Sequence, residues 1–218
     1  MNPPATMNLF ENIEPREQAL APGAVLLRGF ALSEETSLLA GLSEVVFRAA
    51  FRHMITPGGF RMSVAMSNCG SLGWVSDRTG YRYRAVDPLS GLPWPRMPKS
   101  FQSLASGAAK AAGFENFLPD ACLINRYEPG AKLSLHQDKD EHDLTQPIVS
   151  VSLGIPAVFQ FGGLTRSDKT VRIPLTHGDV AVWGGPSRLR YHGIMPLKEA
   201  THSLLGPYRI NLTFRKAN

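Results

Sequence analysis

Residues 133–143 read LSLHQDKDEHD, which crowds two histidines and four acidic side chains into one stretch. Imidazole and carboxylate are common ligands of divalent metals, so the chemistry this stretch invites is metal binding. On an extended strand, residues two apart share a face and lie about 6.6 Å apart along the chain. His136 and Asp138 therefore stand side by side. Asp140 joins them if the strand continues, whereas His142 and Asp143 follow a run of charges where a strand is expected to have ended. Two ligands do not make a site, and a third must come from elsewhere in the chain. His177 in THGDVAVWGG precedes a turn into a strand; His192 in RLRYHGI closes one and is followed by Gly193. Taking His192 gives two histidines and one carboxylate, a set that leaves coordination positions open and suits non-haem Fe(II). Zinc on the same three ligands, in a hydrolase independent of O2, is the alternative.

A second segment bears on that choice. RINLTFR (209–215) places Arg209, Asn211, Thr213 and Arg215 on one face of a strand and Ile210, Leu212 and Phe214 on the other. Guanidinium groups on an inward face are costly unless they meet anions. The two arginines are roughly 20 Å apart along an extended strand, so they can hold both ends of a small dicarboxylate only if their side chains converge. Asn125 and Tyr127 in LINRY share a face and offer neutral hydrogen bonds. An iron triad beside a dicarboxylate clamp points to 2-oxoglutarate as cosubstrate, with O2 as the oxidant.

These groups must be carried by a framework, and the sequence suggests one. Ser33-Glu34-Glu35 reads as an N-cap and first turn, followed by Leu38, Leu39, Leu42, Val45 and Val46 at helical spacing to about Ala50. Residues 52–99 are rich in Gly and Pro, with Trp74, Tyr81, Tyr83 and Trp94 among arginines, the composition of a cover over a site rather than a core. Residues 100–112 are Ala-rich and predict a helix ended by Gly113. From Asp120 onward, ACLINRY, LSLHQD, IVSVSLG, AVFQFGG, TVRIPL, DVAVWGG and RINLTFR predict brief strands of a sandwich or barrel. The expected architecture is an N-terminal helical and loop region packed against a C-terminal β unit.

Composition sets outer limits. A chain of 218 residues, 43% hydrophobic and 19% charged, is that of one globular unit. No apolar run approaches the roughly 20 residues of a membrane helix. Glu11, Glu14, Arg16 and Glu17 stand where a signal peptide would be apolar. Cys69 and Cys122 are too few for a disulfide framework and read as small buried hydrophobes. The expectation is a cytoplasmic monomer. Residues 51–110 carry eight Lys or Arg against two Asp, a larger surplus than the +5 of the entire chain. A basic, aromatic segment favours a polyanionic partner, nucleic acid first.

LINRYEPGAKLSLHQDKDE, PIVSVSLG, FQFGGL, HGDVAVWGG, YHGI and RINLTFR together resemble the AlkB family of Fe(II)- and 2-oxoglutarate-dependent nucleic-acid dealkylases. TPGGFRMSVAMSNCG, LGWVSDRTGYRY and LPWPRMP are similar to that family's nucleotide-recognition lid, so the likeness covers nearly the whole chain. The resemblance implies a mostly β protein with N-terminal helices, a double-stranded β-helix (jelly-roll) core and a lid. The divisions it suggests are an N-terminal extension and helix over 1–50, a lid and supporting helix over 51–113, and the core over 114–218. It further implies iron ligands at His136, Asp138 and His192. Arg209, Asn125 and Tyr127 would hold the far carboxylate of 2-oxoglutarate, and Arg215 the carboxylate beside the keto group, with a hydrogen bond from Asn211 nearby. Trp74 would stack on the damaged base opposite the His136 ring. Tyr81, Arg82 and Tyr83 would grip the substrate backbone, Arg82 adding charge there. Asp140 would recognise the base edge and Arg166 make a further substrate contact. A carboxylate at Asp140 favours bases made cationic by ring-nitrogen methylation, 1-methyladenine and 3-methylcytosine. The implied reaction is oxidative demethylation of single-stranded or damaged double-stranded DNA, with RNA as a further substrate, releasing formaldehyde, succinate and CO2. The alternative keeps the iron and 2-oxoglutarate chemistry and directs it at a protein or a small molecule.

Overall fold

The alternation along RINLTFR organises the molecule. In the computed structural model, which describes residues 16–218, this segment is a fully buried strand. Glu11 and Glu14, read above against a signal peptide, lie outside the described residues. The chain runs through β1 (Glu17–Ala21), β2 (Ala24–Leu27), α1 (Glu35–Arg48), β3 (Arg52–Ile55) and β4 (Arg61–Gly70). A hairpin of β5 (Gly73–Asp77) and β6 (Gly80–Arg84) precedes α2 (Lys99–Ala111). Then come β7 (Ala121–Tyr127), β8 (Leu133–His136), β9 (Ile148–Gly154), β10 (Ala157–Phe161) and β11 (Val171–Leu175). The last three are β12 (Val180–Trp183), β13 (His192–Ile194) and β14 (Arg209–Arg215).

Two antiparallel sheets face each other. The larger has eight strands in the order β1-β2-β12-β9-β14-β7-β4-β3, and the smaller has four, β11-β10-β13-β8. On the outer face of the larger sheet, Ile210, Leu212 and Phe214 pack with Leu38, Leu42 and Val45 of α1 and Phe101, Leu104 and Ala108 of α2. Phe101 meets the Phe214 ring edge-on at 5.9 Å. Each such Val, Leu, Ile or Phe side chain, fully buried, contributes about 1.5–3 kcal/mol. A second core lies between the sheets, with Leu26, Met66, Ile148, Phe159, Ile173 and Trp183. This is a jelly roll: mostly β, with two helices on one outer face.

The N-terminal part is not appended to a C-terminal β unit, as expected from composition. It supplies β1 to β4 to the larger sheet, and β4 is buried from Val64 to Cys69. Polar residues disguised that strand: Ser67 Oγ donates to Ala49 O at 2.5 Å and fully buried Asn68 bonds the backbone of residue 74, so both are satisfied internally. Cys69 and Cys122 are buried free thiols directly opposite each other on β4 and β7. The helix predicted from Ser33 begins at Glu35. Ser33 sits in a 3-10 turn, Leu32–Glu34, and makes no cap hydrogen bond.

Gly154 ends β9 at φ +90°, opposite Arg209, and a Cβ there would collide with the Tyr208 carbonyl. Backbone cannot yield as a side-chain tip can. Gly154→Ala is therefore expected to cost at least about 2 kcal/mol, from left-handed strain and the clash together. A urea unfolding midpoint unchanged from wild type would contradict this.

Candidate metal centre and its cavity

Strand pairing brings the histidines together. His136 and His192 are direct cross-strand partners on β8 and β13. A Cβ at Gly193 would lie 2.6 Å from Leu133 O, so glycine there lets the two strands approach closely. Asp138 lies past the end of β8, so the shared strand face invoked for it stops at His136. The carboxylate still arrives: its oxygens are 3.6 Å from His136 Nε2 and 3.7 Å from His192 Nε2. One ligand atom from each residue lies within 4.8 Å of the others. Asp138 is held from behind by Arg215, whose Nε and Nη2 donate to Oδ2 at 3.0 and 2.7 Å, and by Arg188, which donates to the Asp138 carbonyl.

Each imidazole is oriented by its own backbone. Nδ1 of His136 lies 2.9 Å from Ser134 O, and Nδ1 of His192 lies 3.0 Å from Arg190 O. A carbonyl only accepts, so Nδ1 carries a proton in each, and Nε2 is the nitrogen turned to the site and available to a metal. Burial, then the neighbouring His136, hold the His192 imidazole down to about 3, and it stays neutral. Burial opposes ionisation of Asp138, but Arg215 and the two histidines outweigh it and keep the carboxyl below its ordinary range. Two imidazoles that turn Nε2 to the site and one carboxylate fit a divalent cation.

The cavity around these atoms is about 580 Å³. It is lined by Asn125, Tyr127, Arg209, Asn211 and Arg215 on one side and by Trp74, Tyr81, Asp140 and Arg166 on the other. Arg209 is 1% exposed, and its guanidinium meets no carboxylate among the described residues. Its Nη2 donates to Ser152 Oγ at 2.9 Å, and the guanidinium also interacts with Tyr127, whose ring centroid lies 5.0 Å away. Its Nε and Nη1, and Asn125 Oδ1, are buried without partners. Such groups are expensive to leave unmatched. The two guanidinium nitrogens are donors and fit the end of a small anion, whereas Asn125 Oδ1 accepts and offers an anion nothing. Burial keeps the Tyr127 hydroxyl protonated, hence a donor.

Three implied roles meet a different arrangement. Asn211 is saturated: Nδ2 donates to Ser150 Oγ and Val151 O, and Oδ1 accepts from Asn125 and Thr213. It orients Asn125 and has no bond to spare for a cosubstrate. Arg82 is paired with Asp77 across its hairpin, Nη2 to Oδ2 at 2.6 Å, and does not line the cavity. Tyr83 also lies outside the cavity lining, with its hydroxyl donating to Glu141 Oε1 at 2.6 Å. Among the substrate-side residues, Trp74 Nε1 donates to Asp140 Oδ2 at 2.8 Å, and Arg166 Nη2 donates to Leu135 O at 2.6 Å. His177, the other candidate ligand, lies elsewhere, with Nδ1 accepting the Gly154 amide and Nε2 2.6 Å from Glu35.

Sequence reasoning missed Glu141 and Arg188, buried partners at 2.8 Å behind Asp138. It also missed the cations Arg61 and Lys132 in the cavity lining.

A profile of the 2OG-Fe(II) oxygenase superfamily matches residues 23–215. The chain is 61% identical over 211 residues to the alpha-ketoglutarate-dependent dioxygenase AlkB of Salmonella typhimurium, covering 97% of this chain and 98% of that protein. This chain belongs to the AlkB family. The AlkB protein of Escherichia coli is 59% identical over the same coverage. In three dimensions the fold is similar to the solved structure of OsALKBH1, with a TM-score of 0.80, 31% identity, and 92% of this chain and 99% of that chain covered. As an AlkB-family member the chain is a 2-oxoglutarate-dependent dioxygenase that uses Fe(II), 2-oxoglutarate and O2. A human relative, 32% identical over 124 residues that cover 56% of this chain and 31% of that protein, is named nucleic acid dioxygenase ALKBH1. Among the described residues no helix is long and apolar enough to cross a membrane.

Proposed function

We propose that the protein removes methyl groups oxidatively from ring nitrogens of DNA bases, 1-methyladenine and 3-methylcytosine, preferring single strands, with RNA as a secondary substrate. The observation that carries this reading is a buried, anion-deficient Arg209 in one cavity with an iron-type triad and an exposed aromatic and acidic wall. Relatives named as a DNA N(6)-methyladenine demethylase in Arabidopsis thaliana and a tRNA demethylase in Schizosaccharomyces pombe support the substrate class.

His136, Asp138 and His192 would hold the iron. When bound with 2-oxoglutarate, the metal activates O2 to oxidise a C–H bond, and a hydroxylated N-methyl group then falls away as formaldehyde. Every other task belongs to the chain. Arg209, with the Tyr127 hydroxyl and Asn125, binds the far carboxylate of the cosubstrate. Arg215 steadies Asp138 and, lining the same cavity, would meet the nearer carboxylate. Trp74, flanked by Tyr81, stacks the target base, and the His136 ring, half exposed, closes on its other side. Asp140 accepts from the exocyclic amino group and favours a cationic ring. Arg166, Arg61 and Lys132 attract the phosphates, while Arg82 and Tyr83 brace the β5–β6 hairpin. A base must leave its stack to enter, and a methyl group that blocks pairing lowers that cost. Two unbridged, buried thiols suit a protein working in the reducing cytoplasm.

Fluorescence anisotropy with a single-stranded oligonucleotide, unmodified or carrying one 3-methylcytosine, tests the substrate. Affinity should fall steeply as salt rises, and the methylated strand should bind more tightly at each salt concentration. Binding indifferent to both salt and the methyl group would turn the reading toward a protein or small-molecule target.

A further inference from the structure

We propose that the indole N–H of Trp74 is a specificity-determining group that positions Asp140 for a cationic base, a role separate from stacking. The inference rests on the role given to Asp140 above. Asp140 is exposed and lies in an irregular segment, so nothing in its own backbone restricts the carboxylate. Its hydrogen bond among the described residues is the one from Trp74 Nε1, to Oδ2, at 2.8 Å. Oδ1 is left free on a residue that lines the cavity.

The donor, by contrast, is rigid. Asn68, fully buried, clamps residue 74 by accepting from its backbone N–H and donating to its carbonyl, both at 3.0 Å. The Tyr81 ring stacks on the indole at 5.5 Å with planes 14° apart. A side chain at Gly73 would run into the Trp94 ring, so the hairpin is pressed against the body of the protein. An exposed carboxylate otherwise samples several rotamers, and the field it sets up at the base is averaged away. One fixed donor selects a single rotamer and leaves one oxygen to meet an exocyclic N–H. Any aromatic ring can stack, but phenylalanine has no N–H at this edge. Tryptophan at 74 thus links base stacking to charge selection.

The test compares kcat/KM for oligonucleotides carrying 3-methylcytosine, which is cationic, with those carrying 3-methylthymine, which is neutral, together with their binding constants. The wild-type holoenzyme, Trp74→Phe, Asp140→Ala and the double variant are compared. Loss of stacking lowers both substrates, the cationic one somewhat more through its attraction to the indole face, so a sulfur analogue of the indole is the control that isolates the N–H. Each single variant is expected to reduce the cationic-to-neutral ratio by about 5- to 10-fold, the scale of one hydrogen bond of ordinary net strength. The double variant should fall no further than Asp140→Ala alone. Replacing Trp74 with benzothienylalanine, which keeps the bicyclic ring and puts sulfur in place of the N–H, should reproduce the Trp74→Phe ratio even if phenylalanine disturbs the hairpin. A ratio reduced in Asp140→Ala but intact in both Trp74 variants would overturn this inference alone. A ratio intact in Asp140→Ala would overturn the reading of Asp140 and the inference with it.

Discussion

Arg209→Met is expected to lose affinity for 2-oxoglutarate by ~100-fold or more while unfolding at a higher urea concentration than the wild type. The two effects have one cause. The guanidinium is 1% exposed, has two unpartnered nitrogens, and is engaged by Ser152 Oγ and the Tyr127 ring. Burial pulls its pKa down, a sign that the charge is poorly compensated before an anion arrives. Removing one partner of a buried charge pair typically costs 2–5 kcal/mol or more of binding, about 30-fold at the low end. Replacing an uncompensated buried charge by an apolar chain of similar length relieves desolvation, by about 1 kcal/mol or more. Calorimetric titration of 2-oxoglutarate into the oxygen-free protein and a urea midpoint read the two effects separately. A destabilised Arg209→Met protein would mean that the arginine supports the fold as much as the cosubstrate.

The opposite sign is expected behind Asp138. Glu141 is buried and serves three partners: Arg188 Nη2 at 2.8 Å, the Tyr83 hydroxyl at 2.6 Å and Arg215 Nε at 3.5 Å. Glu141→Leu leaves Arg188, 3% exposed, without its carboxylate. The loss should be ~3–5 kcal/mol, the range for breaking a buried ion pair from one side. Tyr83→Phe removes one hydrogen bond and should cost about 1 kcal/mol. Pairing Glu141→Leu with Arg188→Met should restore part of the stability, because both charges then leave together. Urea midpoints of the wild type, Tyr83→Phe, Glu141→Leu, Arg188→Met and the double variant decide the matter. Additive losses in the Glu141/Arg188 double variant would show that the two side chains do not act as a pair.

What could be read in the sequence was whatever repeats with the period of a strand. RINLTFR alternates without interruption, so its polar and apolar faces follow from the sequence alone. IVSVSLG and ACLINRY coincide with β9 and β7 for the same reason. Groups positioned by long-range pairing were harder. β4 looked like loop because its polar side chains are satisfied inside the fold. The strands at the N-terminus are short and lack a strong pattern, and they join the sheet through β12, some 150 residues later in sequence. Glu141 sits in the run DKDEHD, where an acidic residue reads as solvated; only tertiary contact with Arg188 reveals it as buried. Asp77 and Arg82 are five residues apart, and the hairpin that pairs them changes Arg82 from a free cation into a brace.

The most direct measurement is the mass of a single-stranded oligonucleotide with one 3-methylcytosine after incubation with the protein, Fe(II), 2-oxoglutarate and air. Parallel reactions omit 2-oxoglutarate or use His136→Ala. The account predicts loss of one methylene mass in the complete mixture and in neither control. An unchanged oligonucleotide beside steady formation of succinate would contradict the proposed substrate while leaving the iron centre intact.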